Sequence, residues 1–273
     1  MFHPELGISL HMLSTDLTND LVQAITRSRI ATLEVSAQLF TDDQQRQGNL
    51  SLLQTMIRDS RIRIPTIHAL FGQTYDLSSF DTQIHQNAMA AVRAAIDLAM
   101  DLEASIVVVH ASAEPISPSE RPDRLAQTRM ALIDIEKWSR EAGKQIAIEL
   151  LPRTCLGNTV EALFTLLEEF DKAILGVCLD TNHLMDRPQT LAQTVHDLGD
   201  RLLTLHLSDY DGVDEQHALP GQGVLDWAAF MQALRDIGYA GPFNYECRVA
   251  GATIQERIDT LEQNFAWISA LTR

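Results

Sequence analysis

Short β-branched and aliphatic runs alternate with longer amphipathic stretches along most of this chain. Eight runs read as strands, at 5–12 (ELGISLHM), 30–36, 61–69, 104–112, 145–151, 174–180, 201–209 and 241–247. Stretches at 20–29, 85–102, 124–143, 159–170, 191–199, 225–238 and 252–272 carry apolar residues at helical spacing, as in Val92, Ala95, Ile96 and Ala99. That spacing turns one face of a helix towards a core. Gly143 and Gly238 each follow a helical stretch, where a left-handed cap is expected. The run SIVVV at 105–109 is almost continuously apolar, the pattern of parallel strands covered on both faces. Repeated strand–helix alternation, unbroken by a linker or low-complexity segment, predicts one α/β domain over 1–273 folded as a single (β/α)8 TIM barrel. A doubly wound open sheet is the alternative, but no GxGxxG turn follows the first strand.

Polar residues recur at the carboxyl ends of these runs, which in such a barrel converge on one rim. They are Glu34, His68, His110, Glu149, Asp180, His183, His206 and Glu246. Any one of them alone reads as an ordinary hydrogen-bonded or solvated side chain. Together they would bury charge at a heavy cost unless a cation paired with the carboxylates.

Glu149, Asp180, His206 and Glu246 are separated by 31, 26 and 40 residues, close to one strand–helix unit each. Three hard carboxylates and one imidazole suit one divalent metal ion (Mn²⁺, Mg²⁺, Co²⁺ or Zn²⁺), and the lack of sulfur argues against a structural zinc site. Four protein ligands leave an octahedral ion room for two adjacent substrate oxygens, such as those of an α-hydroxy ketone. The ion would then stabilise the enediolate formed when a proton leaves the carbon beside the carbonyl. Glu149 and Glu246 are the expected proton-transferring carboxylates as well as ligands.

Charge and composition narrow the partners. Of 273 residues, 45% are hydrophobic, enough for a large core, and no apolar stretch approaches the roughly 20 residues of a membrane span. The N-terminus lacks the basic and apolar regions of an export signal, so a cytoplasmic location is expected. The net charge of −16 disfavours nucleic acid. Cys155, Cys178 and Cys247 are odd in number and lack CxxC spacing, so they read as buried small hydrophobes.

The motifs IELLP around Glu149, CLDTNH (178–183), LHLSDYDG (205–212), HALPGQGVLDW (217–227) and NYECR around Glu246 carry a family resemblance. The whole chain resembles the xylose-isomerase-like barrel superfamily of sugar isomerases and epimerases, which also contains endonuclease IV. For the ketose 3-epimerases and inosose isomerases of that group, the resemblance implies that Glu149, Asp180, His206 and Glu246 bind the metal. It also implies that the two glutamates move protons on opposite faces of the substrate, while His183 contacts substrate oxygens. The expected substrate is a small sugar or polyol-ketone, and a homo-oligomer is compatible with such barrels.

Further substrate-binding candidates are His68 and His110 on the rim, Glu34 (to a histidine or to substrate) and His217 over the pocket. Arg153 and Arg248 are candidates to hold a phosphate or carboxylate, with surface salt bridges as the alternative. One departure is Gly212, where ketose 3-epimerases carry an arginine. Endonuclease IV holds three zinc ions on residues matching His68, His110, Glu149, Asp180, His183, His206, His217 and Glu246. There its D-x-H element becomes Asp214-x-x-His217 in this chain. A metal-dependent dehydratase (dehydroshikimate or inosose type) and a catalytically silent binding protein on the same barrel remain alternatives.

Overall fold

The computed structural model describes residues 3–271. Eight parallel strands close into a barrel in sequence order: β1 (Gly7–Ser9), β2 (Thr32–Ser36), β3 (Arg63–His68), β4 (Ile106–Val109), β5 (Gln145–Glu149), β6 (Leu175–Asp180), β7 (Leu202–Leu207) and β8 (Phe243–Tyr245). Closure is direct, since Gly7 and Ile8 of β1 pair with Asn244 and Tyr245 of β8. The strands are shorter than the apolar runs that announced them. The first run, for example, leaves β1 after Ser9 and turns through a 3-10 segment at Leu10–Met12.

The alternation of side chains along a strand divides the core in two. In β4, Val107 and Val109 pack outward with the helices, whereas Ile106 and Val108 meet Ala147 and Cys178 inside the barrel. All three cysteines are free and buried. The lower interior is polar: Asn244 donates to Thr66 and Thr204 across the barrel. Gly7 belongs to the same layer, because a Cβ there would lie 2.4 Å from the Thr32 hydroxyl.

The outer ring is α1 (Asn19–Arg27), α2 (Asp43–Asp59), α3 (Thr82–Asp101), α4 (Arg121–Ala142), α5 (Val160–Leu167), α6 (Leu191–Leu198), α7 (Trp227–Asp236) and α8 (Ile254–Ala270). Gly143 and Gly238 take the left-handed conformation expected of them, with φ of 66° and 67°. The helix expected to reach 272 ends at Ala270, and Thr272 lies outside the described residues. Helix α2 escaped the reading of periodicity. Its sequence DQQRQGNLSLLQTMIRD buries only Asn49, Leu53 and Met56, too narrow a stripe to stand out, and Asp42 caps its start through the Gln44 amide. Among the described residues no helix is long and apolar enough to cross a membrane.

Candidate active site

The carboxyl ends of the strands surround a cavity of about 520 Å³, lined among others by His68, His110, Glu149, Asp180, His183 and Glu246. Parallel register delivers these groups to one level. Asp180, the last residue of β6, is the lateral partner of His206 in β7, and Glu149 ends β5 beside Cys178. Glu246 follows β8 and extends its pairing, its amide donating to the Leu207 carbonyl. Glu149, Asp180, His206 and Glu246 each offer a ligand atom, and those atoms lie within 4.8 Å of one another.

Side-chain hydrogen bonds determine which atoms face that centre. His206 is fully buried; its Nε2–H donates to Glu34 at 3.0 Å, and Ser9 Oγ donates to the same carboxylate at 2.6 Å. That arrangement leaves Nδ1 of His206 turned to the centre, 2.7 Å from Glu246 Oε2 and 3.5 Å from Glu149 Oε1. The close approach to Glu246 has the distance of an ion pair but not the direction of a hydrogen bond, so Nδ1 is without a hydrogen-bond partner. Asp180 uses Oδ1 to accept from the Asn182 amide at 2.7 Å, and its buried Oδ2 has no hydrogen-bond partner, with His183 Nε2 3.4 Å away. A buried carboxylate oxygen and an imidazole nitrogen, neither of them hydrogen-bonded and both within reach of one small volume, are costly in a dry interior and fit a cation.

The electrostatics agree. Burial pushes the Glu149 carboxyl up, but His110 and His206 overcome it and hold the group well below the usual carboxylate range. Glu246 behaves likewise: burial raises it and His206 more than reverses that. Asp180 lacks such help; burial raises its pKa more than His183 and His217 lower it. His68 donates Nδ1–H to the Ala69 carbonyl at 2.8 Å and approaches Glu149 with Nε2 at 3.2 Å. Burial disfavours its charged form, yet the bond and charge of Glu149 lift it to about 9. His110 also reaches Glu149 Oε2, at 2.9 Å, but burial outweighs that contact and its pKa falls. Burial also opposes charge on His183, yet Asp180 and Glu149 raise it overall. Its Nδ1–H is committed to the Leu150 carbonyl at 2.8 Å, which leaves Nε2 facing Asp180 Oδ2 at 3.4 Å and Glu215 Oε1 at 3.8 Å.

The structure favours one side of two readings that the sequence left open, and it changes a third. Glu34 does not line the cavity; it is buried behind His206, where it fixes the imidazole tautomer as an outer partner. Arg153 lines the wall, but its guanidinium is taken by Glu114 (2.6 Å), Asp214 (2.7 Å) and Glu215 (2.8 Å), so it is not a free anion holder. The carboxylate beside His217 is Glu215 rather than Asp214. His183, Glu215 and His217 form a second ligand-like group, so the spacing there is E-x-H and the departure from endonuclease IV is smaller than the sequence suggested.

His217 and Arg248 do reach the cavity. His217 sits in a left-handed backbone at φ 47°, pinned where the Asn182 side-chain Oδ1 accepts from its amide and its own carbonyl accepts from the Arg248 amide. The loop carrying it is clamped by the buried Asp209 carboxylate, which accepts from Gly221, Leu225 and the Trp227 indole. Gly212, at φ 82°, lies away from the cavity lining in a conformation that an arginine would adopt only under strain.

Other lining residues were missed, His11 and Phe71 among them. His11, just past β1, stands 3.5 Å from Glu246 Oε1, and its place at the end of the first apolar run was the signal. Phe71, after β3, stacks on His110 with ring centroids 4.3 Å apart, and nothing in its local sequence marks it.

The model of the xylose isomerase-like TIM barrel family matches residues 30–271. The chain belongs to that family. Its sequence is 26% identical to an L-ribulose 3-epimerase of Methylomonas sp. over 205 residues, 73% of this chain and 69% of that protein. It is 25% identical over 224 residues to a probable endonuclease 4 of Thermoplasma acidophilum, 73% and 74% of the two chains. Other curated relatives are matched over 63%, 55% and 40% of their own length, so the chain spans about half of them. A solved D-tagatose 3-epimerase-like protein superposes with a TM-score of 0.83 at 21% identity, covering 98% of this chain and all of the other. The solved structure shares the xylose isomerase-like fold; the sequence relatives place epimerases and nucleases in one family.

Proposed function

We propose that this chain is a divalent-metal-dependent isomerase or epimerase of a sugar or sugar-like ketone, acting by proton transfer at a carbon next to the carbonyl. The observation that carries the reading is the pair Glu149 and Glu246, two carboxylates sharing one buried centre with His206 Nδ1 and the orphaned Asp180 oxygen. A divalent ion held by Glu149, Asp180, His206 and Glu246 would supply Lewis acidity to adjacent substrate oxygens and so acidify the neighbouring C–H.

The protein's own groups do the rest. Glu149 has Oε2 engaged by His68 and His110, which leaves Oε1 towards the centre; Glu246 keeps its carboxylate between His206 and His11. Histidine partners hold both carboxylates ionised, and two such groups beside one centre allow proton removal on one face and return on the other. His183 Nε2 orients a substrate oxygen, and Phe71 with the HALPGQG loop helps to exclude water. The similarity to an L-ribulose 3-epimerase supports the same chemistry.

A second reading, three-ion phosphodiester cleavage, is favoured by the additional groups His183–Glu215–His217 and His68–Glu149–His206 and by the similarity to a probable endonuclease 4. The charge of −16 weighs against it, since approach to a polyanion would be repelled.

The test is incubation of the Mn²⁺-loaded protein with ketoses and polyol-ketones in D₂O, read by mass and NMR. Deuterium beside the carbonyl with a changed stereocentre or carbonyl position is expected. Deuterium accompanied by loss of water would indicate a lyase, and no exchange across the panel would contradict proton-transfer chemistry.

A further inference from the structure

The alternation of side chains along β8 continues past its last residue. Asn244 points into the barrel, where it donates to Thr66 and Thr204, and Tyr245 packs in the outer core. Glu246 then faces the cavity, Cys247 returns to the outer core, and Arg248 lines the cavity again. The backbone there is pinned, since the Arg248 amide donates to the His217 carbonyl at 2.6 Å. The guanidinium is not pinned: Arg248 is exposed, and among the described residues its side chain has no ion pair or hydrogen bond. Acidic partners are not scarce in a chain with 37 acidic residues against 21 basic ones. The carboxylates that line the cavity are instead engaged elsewhere. Glu114 and Glu215 pair with Arg153, and Glu149 with His68 and His110. Asp180 faces His183, and Glu246 stands between His206 and His11. Arg153, also in the lining, is saturated by its carboxylates, so Arg248 presents the open guanidinium fork.

We infer that Arg248 receives a carboxylate or phosphate at the end of the substrate remote from the reacting carbons, so that the site takes an acidic sugar ketone; this rests on the proton-transfer reading above. At most roughly 7 Å of backbone separates Glu246 from Arg248. A ketone chelated beside Glu246 can therefore place its far end within reach of the guanidinium. The planar fork meets either anion with two parallel hydrogen bonds, a match that a neutral hydroxyl does not offer. Because Arg248 lies at the exposed rim, the anion stays partly hydrated, and its desolvation costs less than in a buried pair. Such an anion also differs from a nucleic acid. The net charge of −16 is screened over about 8 Å in physiological salt, whereas the guanidinium acts at hydrogen-bond distance on a single group.

The experiment compares kcat/KM for proton exchange in D₂O on matched triplets that differ only at the terminal carbon. One is D-fructose, D-fructuronate and D-fructose 6-phosphate; the other is D-tagatose, D-tagaturonate and D-tagatose 6-phosphate. The Mn²⁺-loaded wild type is expected to use one anionic member of an active triplet roughly tenfold better than the neutral member, or more. Which anion it prefers distinguishes a carboxylate from a phosphate. In Arg248→Gln that preference should shrink by about 10- to 100-fold, the range of a hydrogen bond to a charged group. The ratio is internal to each protein, so a general loss of activity or of metal leaves it unchanged. A neutral sugar used as well as both anions or better, or a preference unmoved in Arg248→Gln, would overturn the inference while leaving the proton-transfer reading intact. No exchange with any of the six compounds would overturn that reading and the inference with it.

Discussion

Glu246→Gln, assayed at saturating Mn²⁺, is expected to lose exchange of the substrate's carbon-bound proton by on the order of 10³-fold, within the range general acid–base groups contribute. The substitution keeps the shape of the side chain and removes only its charge and its capacity to take a proton. In the wild type, burial opposes ionisation of Glu246, but His206 at 2.7 Å more than offsets it, so the carboxylate is ionised throughout the neutral range. An amide at that position can neither accept the proton nor balance His206. Saturating metal separates the loss of chemistry from any loss of ion affinity, and circular dichroism checks that the barrel is intact. Exchange at the wild-type rate would remove Glu246 from the reaction.

A second large effect concerns stability, with opposite signs in two conditions. In wild-type protein, Mn²⁺ at about a thousand times its Kd should stabilise the fold by about 4 kcal/mol. For a chain of this size that is a rise in Tm of roughly 10 °C. Asp180→Asn should lose most of that rise. In excess chelator, however, the same variant should melt at or above the wild-type temperature, because it removes the charge of a carboxylate that is 1% exposed and whose Oδ2 accepts no hydrogen bond. A structural carboxylate would behave otherwise: its removal would lower Tm by a similar amount with and without metal. Thermal melts in Mn²⁺ and in EDTA distinguish the two.

The barrel was legible because parallel strands buried on both faces leave near-continuous apolar runs, and a polar residue at the end of such a run has only the rim to occupy. That logic located Glu149, Asp180, His206 and Glu246 at one centre. It failed where pairing depends on how distant loops approach one another. By sequence Glu34 could meet a histidine or substrate; Ser9 and His206 draw it behind the site, and local spacing does not single out either of them. By sequence Arg153 could hold an anion or form a salt bridge, and only the folding of the loops bearing Glu114, Asp214 and Glu215 against it selects the salt bridge. The choice of Glu215 over Asp214 beside His217 turns on one residue of loop register, with Asp214 left 65% exposed. Helix α2 was hidden for a different reason, since a helix touching the core through three residues has little amphipathic signal to read.

The central claim is that Glu149, Asp180, His206 and Glu246 together hold one divalent ion at the point where the two glutamates meet the substrate. Anomalous diffraction from crystals grown with Mn²⁺, collected on either side of the manganese edge, tests it most directly. One strong peak ringed by those four residues is the expected result. Peaks among His183, Glu215 and His217 and beside His68 and His110 as well, or no peak between the four, would contradict the single-ion account.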